Sequence, residues 1–171
     1  RNLKKLLKDN VKFFAFRKSR STPLLDVNGK KIKGNVEDKY NISVTPNLDF
    51  INKKINIIFI TNPTSLHIST VLKLKNLKNA YIFIEKPLDS SLSKYQDFLK
   101  YIKKNNIRIF VGYNLRFHPG FEKLKKIVRT KKEFSRIKYA IFKCGENLKK
   151  YHKYENYLTS YAANKRLGGG V

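Results

Sequence analysis

Cysteine, acidic side chains and long apolar runs are scarce in this chain, and each scarcity excludes something. Cys144 is the single cysteine, so no internal disulfide can form and a reducing compartment is expected. No apolar run approaches the roughly 20 residues that a membrane-spanning helix needs. No signal peptide is visible, although the chain begins with Arg1 rather than Met, and the expected location is the cytoplasm. Asp and Glu number 12 against 38 Lys and Arg, for a formal net charge of +26. Such a balance turns attention to nucleic acid, whose counterions clustered basic residues release. Here the lysines are scattered over every segment instead of forming a stripe, and the wealth of Asn, Ile, Phe and Tyr with little Ala or Gly is the pattern of an AT-rich genome. The expectation is therefore no specific nucleic-acid partner and no membrane, with a general attraction for anionic small molecules.

What is present is a globular composition. Over 171 residues, 41% of them apolar, there is room for one domain and part of a second. The terminal "LGGGV" reads as the lead into a further element, so a chain that continues at both ends is expected.

Periodicity supplies the organisation. Residues 2–8 place Leu3, Leu6 and Leu7 on one helical face, and "VKFFAF" (11–16) reads as a strand packed on both sides. Asn28-Gly29 between "LLDV" and "KKI" predicts a hairpin. "ISVT" (42–45) predicts a short strand, and "NLDFINKK" a short helix behind Pro46. Then the alternation becomes regular. "INIIFI" (55–60), "YIFI" (81–84) and "IRIFVGY" (107–113) are strands. Between them lie a helix with Ile68, Val71 and Leu72 inward, capped by Thr64 or Ser65, and one with Leu92, Tyr95, Phe98, Leu99 and Ile102 inward, capped by Asp89 or Ser90. Strand and helix in turn imply parallel pairing with right-handed crossovers, a Rossmann-like doubly wound α/β sheet. After Arg116 the rhythm changes: "GFEKLKKIV" is helical, and "SRIKYAIFKCGE" predicts a longer strand of an antiparallel sheet. The expected division is 1–116 for a dinucleotide-binding domain and 117–171 for the start of an α+β domain.

Ligands of such sheets bind outside the carboxyl ends of the strands, so the residues following each strand sample one rim. After the first comes "RKSRS": an acidic residue there holds a ribose 2′-hydroxyl and an arginine accommodates a 2′-phosphate. Arg17, with Ser19 and Arg20 behind it, leans toward NADP; a uniformly basic chain also places arginines there by composition alone. After the second strand comes "TNPTSLH" (61–67), where backbone amides at a helix amino terminus could meet an anion; capping explains Thr64 or Ser65 equally well. After the third comes Glu85-Lys86-Pro87. Beside a nicotinamide, Lys86 could polarise a carbinol oxygen or relay its proton, Glu85 could accept from ribose hydroxyls, and Pro87, through a cis bond if it adopts one, would fix the backbone. By itself Glu-Lys-Pro is also an ordinary surface tripeptide.

The ordered series T-N-P-T-S-L-H, E-K-P-L, a helix and V-G-Y-N-L-R-F-H-P resembles the Gfo/Idh/MocA family of NAD(P)-dependent oxidoreductases, as does "YLTSYAANKRLGGGV" near the end. The resemblance implies a Rossmann amino-terminal domain and a second α/β domain whose open sheet makes a homo-oligomer. It implies Thr61, Asn62, Pro63 and His67 along an NAD or NADP cofactor, and Glu85 and Lys86 at the nicotinamide ribose and reacting carbon. Asn114 and Arg116 fall on the far side of the ring, with Lys86 as the catalytic lysine. The family's Gly-rich G-x-G-x-x-G turn is expected before residue 1 and its D-x-x-x-H beyond Val171, so these residues alone are expected to be inactive. His118 and His152 match neither motif and read as surface residues. Substrates implied are sugars, inositols and nucleotide sugars, with surface-polysaccharide synthesis as a setting; Tyr157, Tyr161 and Lys165 could meet them, or could pack. No metal is expected. Two other readings share the fold: a basic nucleic-acid-binding module, marked by salt-sensitive affinity, and a sensor that binds NAD(P)H without turning it over.

Overall fold

Up to residue 113, β-branched and aromatic runs bounded by Asn, Pro and Gly form the strands that their pattern predicts. A computed structural model describes residues 2–7, 11–17, 23–26, 28–48, 55–130, 137–145, 147 and 156–169. In chain order it contains α1 (Asn2–Leu7), β1 (Phe13–Phe16), β2 (Pro23–Leu25), β3 (Lys31–Asn35), α2 (Val36–Tyr40), β4 (Ile42–Thr45), β5 (Ile57–Ile60) and α3 (His67–Leu72). There follow β6 (Tyr81–Ile84), α4 (Tyr95–Lys104), β7 (Arg108–Val111) and α5 (Pro119–Thr130). Most of "NLDFINKK" lies outside the described residues.

β5, β6 and β7 make one parallel sheet in that order, and β1 pairs in parallel with β4. This is the α/β architecture expected. The predicted hairpin is also present: β2 and β3 are antiparallel, and Asp26 Oδ1 accepts from the backbone N–H groups of Asn28 (2.8 Å) and Lys30 (2.9 Å) while Gly29 takes φ of 81°. An Asx turn followed by a left-handed glycine closes such a loop at little steric cost.

The core is a single cluster built from β5–β6–β7 and the two helices that cross it: Ile60, Ile68, Val71, Leu74, Leu77, Ala80, Ile82, Ile84, Phe98 and Ile107. The two crossover helices α3 and α4 pack against each other on one face of the sheet. That face buries Ile82 and Ile84 completely, whereas Ile57, Phe59, Tyr81 and Phe110 on the other are 40–55% exposed. The three-stranded sheet is thus covered on one side among the described residues; β1, expected to be packed on both sides, alternates half-buried and exposed residues.

Two local differences have plain causes. Leu92 is exposed because α4 starts only at Tyr95, leaving it in the preceding turn. Residues 137–145, predicted as strand, have no regular structure, and Tyr139, Ile141 and Phe142 are exposed. An extended segment becomes a strand only when a neighbour supplies its ladder of hydrogen bonds, and none of the described strands pairs with it.

Candidate functional site

The register of the three-stranded sheet builds the rim. Ile60, Ile84 and Val111 are direct partners at its carboxyl edge, so the turns that follow leave side by side. Glu85 N–H donates to the Ile60 carbonyl (2.9 Å) and Gly112 N–H to the Ile84 carbonyl (2.8 Å), carrying the ladder one residue beyond each strand. At Gly112 a Cβ would lie 3.0 Å from the Phe83 ring and 3.3 Å from Glu85 Oε2. Glu85 therefore lays its carboxylate over the exit of β7, where a side chain at position 112 would press on it and on the Phe83 ring. Lys86 is exposed at the mouth, joined to Pro87 by a cis peptide bond. Thr61 is exposed and Asn62 and Pro63 half-buried; Asn114 and Arg116 are exposed in a 3₁₀ turn after β7.

His67 turns inward. It is 1% exposed, with Nδ1 2.9 Å from the Pro87 carbonyl oxygen and Nε2 2.8 Å from that of Asn62. It spans the turns after β5 and β6 and has almost no surface to offer a ligand. Asn62 donates from Nδ2 to Thr70 Oγ1 (2.8 Å), while its Oδ1 is buried with no hydrogen-bond partner among the described residues. A buried acceptor left in that state costs about 1–3 kcal/mol.

The expected caps are placed differently. Neither Thr64 nor Ser65 caps α3, whose first turn follows Leu66. Asp89 serves there instead: Oδ2 accepts from Ile68 N–H (3.0 Å), and Oδ1 accepts from the N–H groups of Ser90 (2.7 Å) and Ser91 (3.1 Å). A carboxylate already holds the amino end of α3, which answers its need for an anion, and α4 starts behind Lys94 without a side-chain cap. The sequence signal for this is the Asp-Ser-Ser run two residues after Pro87, whose short acceptor can bond either its own loop or a neighbour.

Tyr157 is half-buried and Tyr161 and Lys165 are exposed, in a run of tight turns over 156–169. The 3₁₀ turn Lys165–Leu167 packs on the turn Thr64–Leu66. Gly168 ends it at φ of 83°, where a Cβ would fall 2.8 Å from Thr64 Cβ and 3.1 Å from both Ser65 N and Ser90 Cβ. Backbone can lie that close only without a side chain. This close approach brings the segment holding Tyr161 and Lys165 against the turn that follows β5.

At the other parallel pair, Phe16 and Thr45 end in register, and Arg17 N–H donates to the Thr45 carbonyl (3.2 Å). The Arg17 guanidinium forms an ion pair with Glu37 of α2, a residue only 6% exposed. Sequence reasoning missed that carboxylate because it lies 20 residues away across a hairpin. Ser19 and Arg20 lie outside the described residues. Among the described residues no cluster of His, Cys, Asp or Glu could hold a metal, and no helix is long and apolar enough to cross a membrane.

Comparison with known proteins agrees with this geometry. Residues 9–113 match the Gfo/Idh/MocA family model, described as an oxidoreductase family with an NAD-binding Rossmann fold. The chain belongs to this family. Among relatives, the oxidoreductase YrbE of Bacillus subtilis (strain 168) is 38% identical over 76 residues, 44% of this chain and 22% of YrbE. Myo-inositol 2-dehydrogenase of Thermotoga maritima is 28% identical over 94 residues, 55% of this chain and 26% of that protein. An NAD-binding protein from Listeria innocua, solved by crystallography, shares the fold at a TM-score of 0.50 with 15% identity, covering 57% of this chain and 29% of that one. The chain thus spans about a quarter of the length of the curated relatives that it matches. Membership of the Gfo/Idh/MocA family makes the rim after β5, β6 and β7 the side on which a nicotinamide cofactor is to be sought.

Proposed function

We propose that the intact protein moves a hydride between a nicotinamide cofactor and a carbinol or carbonyl carbon of a polyhydroxylated substrate: a sugar, an inositol or a nucleotide sugar. The observation that carries this reading is the flush rim itself, on which Glu85, Lys86 and the unpartnered Asn62 Oδ1 follow neighbouring strands of one sheet. The similarity to a myo-inositol 2-dehydrogenase supports a cyclic polyol or sugar as substrate.

A bound nicotinamide supplies the hydride acceptor or donor. Lys86 takes the proton from the substrate hydroxyl as the C–H bond breaks, or returns it to the oxygen in the reverse direction. Glu85 accepts from hydroxyl groups of the adjoining ribose, and Asn62 lines the cofactor beside it. Asn114 and Arg116 bound the far side of the site. Tyr157, Tyr161 and Lys165 are the substrate contacts, carried to the rim by the segment that Gly168 seats against Thr64. Arg17 is the residue that would meet a 2′-phosphate, which favours NADP; doing so draws it away from Glu37. Residues from 117 onward begin a second domain, whose sheet serves homo-oligomer formation. A cytoplasmic setting, with surface-polysaccharide synthesis as one context, completes the reading.

The test is Lys86→Ala in the intact protein, assayed with NADH, NADPH and their oxidised forms against a panel of inositols and sugars. Loss of turnover with cofactor affinity retained is the expected result; unchanged turnover would refute the role of Lys86. Tight NAD(P)H binding with no turnover by the unaltered protein would identify a sensor instead.

A further inference from the structure

We infer that His67 is a positioning residue whose two ring nitrogens both donate, a two-ended latch tying the turn after β5 to the Lys86-bearing turn after β6. The partners decide the point. Nδ1 faces the Pro87 carbonyl at 2.9 Å and Nε2 the Asn62 carbonyl at 2.8 Å, and carbonyl oxygens only accept. A neutral imidazole carries one N–H and one lone pair. In either tautomer one of these contacts would set lone pair against lone pair at hydrogen-bond distance. At 1% exposure, water has no access to relieve it, and a buried polar group left unsatisfied is expensive. The ring bearing hydrogen on both nitrogens satisfies both carbonyls at once.

The turn after β6 carries three charged side chains. Asp89 places a carboxylate on the N–H of Ile68, the residue after His67, and Glu85 lies two residues before Pro87. Lys86, the basic group on the same turn, is exposed rather than buried against the ring. Both carbonyls belong to the backbone of rim turns: Asn62 carries the unpartnered Oδ1, and Pro87 follows Lys86 directly. The ring therefore fixes the separation of the two turns between which a nicotinamide would lie. The consequence for Lys86 rests on the function proposed above; the double donation of His67 does not.

The deciding experiment is a long-range ¹H–¹⁵N spectrum of imidazole resonances in the intact, uniformly labelled protein at neutral pH, with His67→Gln used for assignment. Two N–H-type nitrogens at His67, with ring protons that exchange slowly with solvent, are expected. One pyridine-type nitrogen would overturn the latch. If His67→Gln does not fold, the His67 ring resonances are assigned through the backbone of the unaltered protein, so the question is still decided. Positioning is read separately, through labelling of Lys86 by an amine reagent followed by mass spectrometry. NADH should slow that labelling about tenfold in the unaltered protein, and the protection should fall to about twofold in folded His67→Gln, as for loss of one charge-assisted hydrogen bond. Full protection in His67→Gln would overturn the positioning role. Absence of protection in the unaltered protein would count against Lys86 as a cofactor-side residue, leaving the ring spectrum to decide the latch.

Discussion

Residues 11–48 and residues 55–111 carry strands of much the same composition, yet only the second region builds a core. "FFAF" in β1 and "YIFI" in β6 are both four apolar residues, but β1 alternates half-buried with exposed while Ile82 and Ile84 of β6 are fully buried. What differs is the chain between parallel partners. β5 and β6 are joined through α3, which brings Ile68 and Val71 down on the sheet. β1 and β4 are joined through a polar hairpin and a five-residue helix whose buried residue is Glu37. Among the described residues of the first region, Leu24 is the one buried hydrophobic. A strand does not bury itself; an amphipathic crossover does it. The contrast extends to function: the well-packed region holds the turns assigned to the chemistry, and the thinly packed one holds the arginine assigned to cofactor choice.

That division yields graded expectations. The largest concerns the packed region's rim: Lys86→Ala should reduce turnover by about 10²- to 10⁴-fold, the range for loss of a positioned acid–base group, while the dissociation constant for NADH moves little. Next comes the core. Ile82→Ala should cost about 2–5 kcal/mol in denaturant unfolding, and Phe14→Ala, at a residue already 37% exposed, less than about 1 kcal/mol. Equal losses would mean that both regions share one core and that the contrast drawn here is false. For the first region, Arg17→Ala should weaken NADPH by about tenfold, the worth of a charge-assisted contact, with NADH almost unaffected. Parallel losses for both cofactors would show that Arg17 acts on folding through Glu37 and not on the 2′-phosphate.

The smallest effect is alkaline. Tyr101 donates to the Leu74 carbonyl, and burial raises its phenol above the ordinary value of 10.0. The folded state then holds this proton more tightly than the unfolded state does. The associated stability is fully present below pH 10 and is lost as pH climbs through the raised value. Tyr101→Phe should therefore flatten the fall of melting temperature above pH 10, at a cost of about 1 kcal/mol at neutral pH. An unchanged alkaline slope would remove Tyr101 from the account.

Legibility followed the range of the interaction. The strands up to residue 113, the Asn28-Gly29 hairpin and the inward residues Ile68, Val71 and Phe98 are readable because periodicity and turn chemistry are local. The Glu-Lys-Pro turn reads as a candidate site because motif order survives without coordinates. Asp89 or Ser90 reads as the cap of the helix that follows, whereas the Asp89 carboxylate reaches Ile68, 21 residues back. His67 was placed against the cofactor by its motif, and only the folded chain shows both nitrogens spent on carbonyls. "SRIKYAIFKCGE" has the composition of a strand, but a strand also needs a partner, which composition cannot provide.

The amino-acid sequence by itself determined which segments can be strand or helix, their order, and hence a parallel α/β sheet with its polar turns gathered along one edge. Those outcomes rest on backbone preferences and apolar spacing, which act within a few residues. Tertiary structure alone decided which face of the sheet is covered, that Glu37 neutralises Arg17, that Gly168 lies against Thr64, and that His67 faces inward between two rim turns. Each of these depends on atoms from distant parts of the chain meeting at van der Waals or hydrogen-bond distance, a relation that no local pattern encodes.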